Sequence, residues 1–376
     1  MKIGITCYPV VGGSGIIATE LGQELAGRGH QVHFVSYALP FRLDKYRTNL
    51  YFHAVETTAY PLFKYPPYTL ALSSRIADVA RNYELDIVHV HYAVPHATCA
   101  YLASQMLAAQ GSKLPKVITT LHGTDITLVG SDPSYFDITK FSINTSDGIT
   151  AVSQHLADET AEVFGVQRHI RVVHNFFDQK RFGPNIGECS RCEFANEDEF
   201  LLAHVSNFRP VKRTLDVIEI FEKVANVLPA KLILIGEGPD TVLARRMIKR
   251  RNLTERVIFL GNQSRVEAVL PCADLFLLPS QEESFGLAAL EALACGVPVI
   301  GTHGTGLVEV IDDGQDGFLL PIGDTTGMAE KAIELLKDRT RLSAFKSAAV
   351  DLSRKKFAQE KIVGEYEQYY EDVLNG

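Results

Sequence analysis

Residues 2–28 read KIGITCYPVVGGSGIIATELGQELAGR. The segment Lys2–Thr6 is short, apolar and rich in β-branched residues, which is typical of a buried strand. A glycine-rich loop follows, and Ile17–Arg28 then spaces its apolar residues with the period of a helix. A strand, a loop and a helix in this order predict an α/β fold whose strands run parallel.

The same alternation continues along the rest of the chain. A first series of predicted strands is Lys2–Thr6, Gln31–Ser36, Ile87–His91, Lys116–Thr120 and Gly148–Val152. A second series is Leu201–Ser206, Lys231–Gly236, Arg256–Leu260, Leu275–Leu278 and Pro298–Gly301. Helical patterns such as Leu70–Tyr83 and Thr214–Asn226 lie between the strands. We therefore predict two doubly wound, Rossmann-like domains, each with a parallel sheet covered on both faces.

A stretch with little periodicity, Asn175–Asp198, separates the two series of strands and contains glycine and proline. We place the first domain at residues 1–175 and the second at residues 176–357. The C-terminal residues 358–376 have a helical pattern, and we expect this helix to pack back on the first domain. Ligands bind outside the carboxyl ends of strands in such sheets, so two facing domains predict an interdomain cleft.

The net charge of the chain argues against a nucleic-acid partner. Its 376 residues contain 37 Lys and Arg against 45 Asp and Glu, a net charge of -8. A nucleic-acid surface would need a basic excess, whereas an anionic small substrate needs only a few local cations. No apolar run approaches the roughly 20 residues of a membrane span. The start, Met1–Thr6, predicts a strand and not a signal peptide.

The six cysteines fit the reducing cytoplasm. Four of them stand in apolar surroundings and are predicted to be buried thiols: Cys7, Cys99, Cys272 and Cys295. Cys189 and Cys192 form a C-x-x-C pair, but a zinc site needs a second pair of ligands and none stands nearby. An incidental pair is favoured over a redox or metal site.

The loop Gly12–Gly15 follows the first strand and opens a helix. Glycine lets the backbone approach a ligand closely, and a helix N-terminus favours an anion. The spacing differs from G-x-G-x-x-G, and no acidic residue ends the second strand, which disfavours a dinucleotide site. The alternative, a tight turn that binds no ligand, stays open.

The segment Ser206–Arg213 joins a predicted strand to a predicted helix and contains three cations, Arg209, Lys212 and Arg213. Arginine binds phosphate with two parallel hydrogen bonds, and lysine supplies a point charge. Such a cluster could neutralise a diphosphate leaving group without a metal. The alternative is a solvated basic turn.

Two carboxylates, Glu283 and Glu291, stand eight residues apart. The second falls within an Ala- and Leu-rich predicted helix, where a carboxylate is costly unless it is paired. Glu291 could accept both hydroxyls of a ribose, and Glu283 could hold sugar hydroxyls beside the amides of Phe285 and Gly286. The alternative is one structural and one surface glutamate.

A further candidate, His122, directly follows a predicted strand. It could contact a transferred sugar, although a lone histidine is more often structural. His89, His91 and His96 suggest a metal site, but the nearby acid, Asp86, stands at the other end of that strand. We therefore disfavour a metal there.

Together these four segments resemble the retaining GT-B glycosyltransferases of family 4, whose signature is Glu-x7-Glu. Further matching segments are 5–9, 39–43, 89–92, 119–127, 205–209 and 291–298. The resemblance covers nearly the whole chain and is closest to members that transfer N-acetylglucosamine from UDP-N-acetylglucosamine to L-malate in bacillithiol synthesis. It implies retention at the anomeric carbon, no metal and no cofactor. The departing diphosphate oxygen would take the acceptor proton, so the protein mainly positions groups and stabilises charge.

The resemblance also assigns residues. The donor set is Gly13, Ser14, Asn207, Arg209, Lys212, Asn262, Glu283, Ser284, Phe285, Gly286, Leu287 and Glu291. The catalytic set is His122, Glu283, Lys212 and Arg209, and the acceptor set is Ser14, Tyr92, Thr120 and Lys140. The family usually has arginine at position 207, so Arg209 is expected to supply the second cation beside Lys212. Lys140 stands where relatives have arginine, and it lacks the two-pronged contact of a guanidinium.

The sequence leaves other hypotheses about function open. A different acceptor, such as an inositol phosphate or a lipid, would fit the same fold, although no basic amphipathic helix in the first domain suggests a lipid. An NAD-dependent dehydrogenase would use Gly12–Gly15 but has no need of the glutamate pair. A non-catalytic sugar-nucleotide-binding protein would not need Lys212, Glu283 and Glu291 together. The sequence does not decide whether the chain forms a homo-oligomer.

Overall fold

The structure is a computed structural model that describes residues 1–9, 12–44, 46–57, 62, 64–127, 129–184, 186 and 191–376. The chain folds into two compact units. The first unit comprises Met1–Asn175 and Glu360–Gly376, and the second comprises Phe176–Gln359.

A parallel sheet forms the centre of each unit. Among the described residues, the strands of the first unit are β1 Lys2–Thr6, β2 Gln31–Ser36, β3 Leu50–Ala54, β4 Ile87–His91, β5 Lys116–Leu121, β6 Gly148–Ala151 and β7 Arg171–Val172. Those of the second unit are β8 Phe200–Val205, β9 Ala230–Ile235, β10 Val257–Gly261, β11 Leu275–Leu278, β12 Val299–Thr302 and β13 Gly317–Leu320. The strand orders are β3-β2-β1-β4-β5-β6-β7 and β10-β9-β8-β11-β12-β13. Each order reverses beside its first strand, as in a doubly wound fold, so the predicted α/β class with two parallel sheets is confirmed.

Helices cover these sheets. The described helices are α1 Gly13–Gly27, α2 Tyr68–Tyr83, α3 Thr98–Ala109, α4 Thr124–Thr127, α5 Phe136–Thr145, α6 Gln154–Phe164, α7 Thr214–Ala225, α8 Thr241–Arg250, α9 Leu287–Ala294, α10 Leu307–Val310, α11 Thr325–Lys337, α12 Arg339–Phe357 and α13 Gln359–Asn375. A wider helical turn spans Ala93–Ala97, and 3₁₀ turns span Arg191–Glu193, Pro210–Lys212, Thr254–Arg256, Val266–Ala268 and Leu270–Cys272. In the part of the chain that is described, no helix combines the length and apolarity that crossing a membrane requires.

Local sequence explains where several helices begin and end. Ser153 accepts a hydrogen bond from the Leu156 amide at 3.0 Å and caps α6, which ends at Phe164 and is followed by Gly165 in the left-handed region (φ 62°). Asp338 caps α12 in the same way through the Arg341 amide at 2.9 Å. These side chains satisfy amides that a helix start leaves without intrahelical partners.

The C-terminal helix α13 belongs to the first unit. Tyr366 and Tyr370 of this helix are fully buried. The Tyr370 hydroxyl lies 2.7 Å from His89 Nδ1, and the Tyr369 hydroxyl accepts a hydrogen bond from the Ile149 amide at 2.8 Å. Burying each aromatic side chain contributes roughly 1.5–3 kcal/mol, which holds the helix on the sheet.

The sequence failed to predict three strands, β3, β7 and β13, and all three lie at sheet edges. An edge strand has one neighbour and needs no continuous apolar run; β3 buries Leu50 and His53 but exposes Tyr51 and Ala54, and β7 has only two residues. The predicted start of the first helix at Ile17 was also wrong, since α1 begins at Gly13. Gly12, with extended backbone, precedes it, and glycine is accepted at such a cap.

The cysteine predictions hold in part. Cys7, Cys99 and Cys295 are buried free thiols, and Cys192 is free and exposed. Cys272 is buried but disulfide-bonded, so the predicted free thiol at that position is wrong. Cys189 lies outside the described residues, so the prediction that Cys189 and Cys192 are an incidental pair stays a prediction.

Candidate functional site

In the second unit, the loop after β8 is held between backbone segments. Phe208 is fully buried and has a left-handed backbone (φ 40°). A Cβ built on Gly236 would lie 1.9 Å from Ser206 O, and one built on Gly238 would lie 1.8 Å from Asn207 O. Only glycine lets the Gly236–Gly238 turn approach the loop this closely. This turn was not predicted, although two glycines directly after a strand were a usable signal.

The same loop leads to an ion pair between two predicted site residues. Lys212 Nζ donates to Glu283 Oε1 at 2.7 Å, and Ser280 Oγ donates to the same oxygen at 2.8 Å. The side chains of Lys212 and Glu283 are only 21% and 10% exposed. Glu283 Oε2 has no hydrogen-bond partner among the described residues. The pair therefore brings a cation and a carboxylate together and leaves one oxygen open to a ligand.

A buried histidine that the sequence analysis missed supports this loop. His204 Nδ1 donates to Leu277 O at 2.8 Å, so its Nε2 accepts from Ser206 Oγ at 2.8 Å. Ser206 Oγ in turn accepts from the Phe208 amide at 3.2 Å. Burial lowers the pKa of His204 to about 4 and keeps the ring neutral. A histidine within the apolar strand 200–205 was the signal, because such a group needs partners when it is buried.

The second glutamate lies in α9, which begins after Gly286 in the left-handed region (φ 93°). Glu291 is 8% exposed, as expected for a carboxylate within an apolar helix. Phe285 is buried edge-on against Phe357 with ring centroids 5.4 Å apart, so only its backbone can face a ligand. Ser284 and Leu287 are half-buried.

Three predicted donor residues are exposed: Asn207, Arg209 and Asn262. The Arg209 guanidinium makes no ion pair or hydrogen bond within the described residues, whereas the Arg209 carbonyl accepts the Lys212 amide at 2.8 Å. Their side chains are free to meet a ligand, and nothing in the described residues fixes their positions.

In the first unit, two predicted residues meet where the strand order reverses. Ser14 lies in the first turn of α1 after β1, and Tyr92 directly follows β4, the neighbour of β1. Ser14 Oγ lies 2.8 Å from the Tyr92 hydroxyl. Tyr92 has a left-handed backbone (φ 88°), which is strained for a residue with a side chain, and strain of this kind clusters at functional sites. Burial raises the pKa of Tyr92 to about 12, so its hydroxyl stays neutral. Gly13, beside this pair, is exposed.

Four histidines, His89, His91, His96 and His122, form a cluster around the carboxyl ends of β4 and β5, called the histidine cluster below. His91 Nδ1 lies 2.8 Å from His122 Nε2, and His96 Nδ1 donates to His91 O at 2.5 Å. Burial lowers the pKa of His89 and His122 to about 3 and that of His96 to about 4. The rings are therefore neutral at physiological pH. Among the described residues, no group of three or more His, Cys, Asp or Glu is arranged to hold a metal ion.

A buried carboxylate, which the sequence analysis gave no role, joins the loops after β4 and β5. Asp125 accepts the amides of Ala93 at 3.0 Å, His122 at 3.1 Å and Gly123 at 3.0 Å. Burial raises the pKa of Asp125 to about 6, and the amide hydrogen bonds oppose this shift. Asp125 thus fixes the backbone on which His122 is mounted.

The remaining predicted acceptor residues have other surroundings. Thr120 is fully buried, and its hydroxyl lies 2.6 Å from both His89 Nε2 and Thr150 Oγ1. It presents no surface to a ligand in this conformation, so direct contact with a carboxylate is not supported.

Lys140 is exposed on α5, and its Nζ lies 3.8 Å from a Cβ built on Gly165. The structure thus brings Ser14 and Tyr92 together, and no described contact joins them to Lys140.

The histidine cluster predicts loss of stability in mild acid. All four pKa values are lowered, so below about pH 6.5 the unfolded chain binds more protons, and stability falls as pH falls. Each histidine contributes about 1.4 kcal/mol per pH unit. Asp125 acts oppositely between its ordinary value and about 6, because there the folded state holds its proton. We expect Tm to fall steeply from pH 6.5 to 5, and more steeply in Asp125→Asn; a constant Tm would contradict the neutral cluster.

Two family models match the chain. Residues 11–181 match the model described as Glycosyltransferase Family 4, and residues 188–351 match the one described as Glycosyl transferases group 1. The two matches fall almost entirely in the first and the second unit, respectively.

One curated relative spans the whole chain. It is the N-acetyl-alpha-D-glucosaminyl L-malate synthase of Bacillus anthracis, which is 49% identical over 375 residues, covering 100% of this chain and 97% of that protein. Among solved structures, sucrose-phosphate synthase from Thermosynechococcus elongatus has a TM-score of 0.81 at 20% identity, covering 100% and 99% of the two chains. HepE from Anabaena, solved with UDP and glucose, has a TM-score of 0.81 at 18% identity, covering 98% and 99%. At these identities the two structures support the fold alone.

Proposed function

The chain belongs to the family 4 glycosyltransferases, and we propose that it transfers N-acetylglucosamine from UDP-N-acetylglucosamine to the hydroxyl of L-malate. The sugar would keep its anomeric configuration, and the product would enter bacillithiol synthesis. The observation that carries the proposal is the full-length similarity to the Bacillus anthracis synthase, whose name states that product. The Lys212–Glu283 pair supports it, because an ammonium group suits a diphosphate and a carboxylate suits sugar hydroxyls.

The second unit would bind the donor. In the reaction the bond from the anomeric carbon to the diphosphate breaks, and a bond to the malate oxygen forms on the same face. The malate proton passes to the departing phosphate oxygen. Lys212 and the exposed Arg209 would stabilise the charge that develops on the diphosphate, an effect that grows where water is excluded. Glu283 Oε2, which is open, would accept a sugar hydroxyl, and Glu291 would accept the ribose hydroxyls.

The first unit would bind the acceptor. Ser14 and Tyr92 offer neutral hydroxyls 2.8 Å apart, and either can donate to a malate carboxylate. The Gly13 amide stands beside them at the start of α1, where a helix N-terminus favours an anion. His122 would contact the transferred sugar. Thr120 would act indirectly, because its hydrogen bond to His89 holds that ring in position.

A panel of acceptors tests the proposal. UDP-N-acetylglucosamine is offered with L-malate, D-malate, succinate and inositol phosphate, and UDP release is measured. We expect L-malate to react at least about tenfold faster than D-malate, since one misplaced hydroxyl loses the productive geometry. Succinate has no hydroxyl and serves as the blank. Faster reaction with inositol phosphate would overturn the proposed acceptor.

We also propose that the reaction needs no metal, because Lys212 and Arg209 can neutralise the diphosphate as cations. Treatment with EDTA followed by gel filtration is expected to leave the transfer rate within about twofold of the untreated enzyme, since a required metal ion contributes several kcal/mol. Loss of activity that Mg²⁺ or Mn²⁺ restores would contradict this prediction.

For Lys140 we propose a weaker, charge-based contribution to malate binding. Lys140→Ala is expected to raise KM for L-malate about threefold and to leave KM for the donor unchanged, because an exposed charge contributes up to about 1 kcal/mol. The matched control is Lys113→Ala, whose amine pairs with Asp86 at 2.6 Å near the start of β4. A larger change in the donor KM would assign Lys140 to the donor.

A further inference from the structure

The contact between His91 and His122 restricts where their protons lie. A hydrogen bond between two neutral imidazoles needs one N–H and one lone pair. His91 Nδ1 and His122 Nε2 are 2.8 Å apart, so one of them is protonated and the other is not. Each neutral ring has a single N–H. The direction of this hydrogen bond therefore decides whether the two nitrogens outside the contact, His91 Nε2 and His122 Nδ1, carry a proton.

The outer nitrogen of His91 decides between the two arrangements. His91 is fully buried, and its Nε2 has no hydrogen-bond partner among the described residues. If His122 donated to His91, the proton of His91 would stand on this Nε2, as a buried N–H without an acceptor. Buried N–H groups without a partner are rarer in folded proteins than acceptors with an unused lone pair. The favoured arrangement has His91 Nδ1–H donating to His122 Nε2.

His96 shows the same pattern without ambiguity. Its Nδ1 lies 2.5 Å from His91 O, and a carbonyl oxygen can only accept, so the proton is on Nδ1. Its buried Nε2 has no partner among the described residues and is therefore an unused lone pair. The site thus already leaves one buried histidine Nε2 as an unpaired acceptor. This contact also fixes the backbone of His91.

We propose that His91 is a positioning residue that holds the proton of His122 on Nδ1, so that His122 offers a hydrogen-bond donor to the bound sugar. His122 is half-buried, and its Nδ1 has no partner among the described residues. The Asp125 contact to the His122 amide fixes the backbone from which the ring projects. The donor role rests on the proposed function, whereas the position of the proton does not.

The proton can be located directly. Two-bond ¹H–¹⁵N correlation spectra of the substrate-free chain, labelled at histidine nitrogens, distinguish a protonated from a bare nitrogen. The His122 signals are assigned by their absence in His122→Asn. We expect His122 Nδ1 to be protonated and Nε2 to be bare. A proton on Nε2 would overturn the proposal, whatever the enzyme transfers.

Two variants separate this role from packing. His91→Asn keeps an N–H near the position of Nδ1, whereas His91→Leu fills the apolar space without a donor. We expect kcat to fall about tenfold in His91→Leu and less than about threefold in His91→Asn, with the Kd for UDP unchanged in both. If burial alone mattered, the leucine variant would be at least as active, and that ranking would overturn the proposal. A chain that is inactive with every acceptor would contradict the proposed function. The spectra would still show which nitrogen of His122 carries the proton.

Discussion

The Lys212→Ala variant is expected to transfer sugar about 10³-fold more slowly than the unchanged chain. Negative charge develops on the departing diphosphate, and Lys212 is the cation that the structure holds beside Glu283, at 2.7 Å. Without it, the exposed Arg209 is the one cation left of the two that we propose for the diphosphate. The loss should fall on kcat more than on the donor KM, because the charge is greatest in the transition state. Steady-state kinetics with varied UDP-N-acetylglucosamine give both values.

The control for this variant is Lys223→Ala in the same unit. Lys223 pairs with Glu219 at 3.0 Å on α7 and is 34% exposed. Its loss should leave the rate within about twofold, as for other exposed pairs. Since Lys212→Ala also leaves the buried Glu283 carboxylate without its cation, Tm is measured for both variants. Transfer by a folded Lys212→Ala protein at a rate within about threefold of the unchanged chain would remove Lys212 from the mechanism.

The Gly238→Ala variant is expected to lose about 10²-fold in kcat/KM for the donor, because displacements of about 1 Å can cost that much. The new Cβ would stand 1.8 Å from Asn207 O, and backbone cannot give way as a flexible side chain can. The loop that contains Asn207 and Arg209 would have to move. Measured Tm should fall as well, since the contact lies against the buried Phe208.

A matched substitution is Gly364→Ala on α13, where the built Cβ meets nothing closer than Arg28 Nη1 at 3.8 Å. This variant should have unchanged kinetics, and its Tm should stay the same or rise, because alanine favours a helix. If Gly238→Ala has the same kcat/KM as Gly364→Ala, the position of the loop does not control donor binding.

The central strands could be predicted because a strand buried on both faces needs a nearly continuous apolar run. Ile87–His91 and Leu275–Leu278 have the predicted bounds. Edge strands carry a weaker signal, and Leu50–Ala54 exposes Tyr51. The pairing of Lys212 with Glu283, 71 residues apart, was not predicted from pattern alone; the two residues were assigned separately.

Other parts of the site could not be predicted because their partners are distant in sequence. His204 is bonded to Leu277 O, and Asp125 to the Ala93 amide. Neither contact has a local pattern. Thr120 was expected to face the acceptor, but it faces His89 and Thr150. The order of residues along a strand does not tell which of its two faces meets a ligand, since successive side chains alternate between them.

The most direct test of the proposed reaction is a single incubation with UDP-N-acetylglucosamine and L-malate, followed by ¹H NMR. We expect one N-acetylglucosaminyl malate for each UDP released, with the sugar linked to the malate hydroxyl and the α configuration of the donor retained. A β-linked product, or UDP released with free N-acetylglucosamine and no malate adduct, would contradict it.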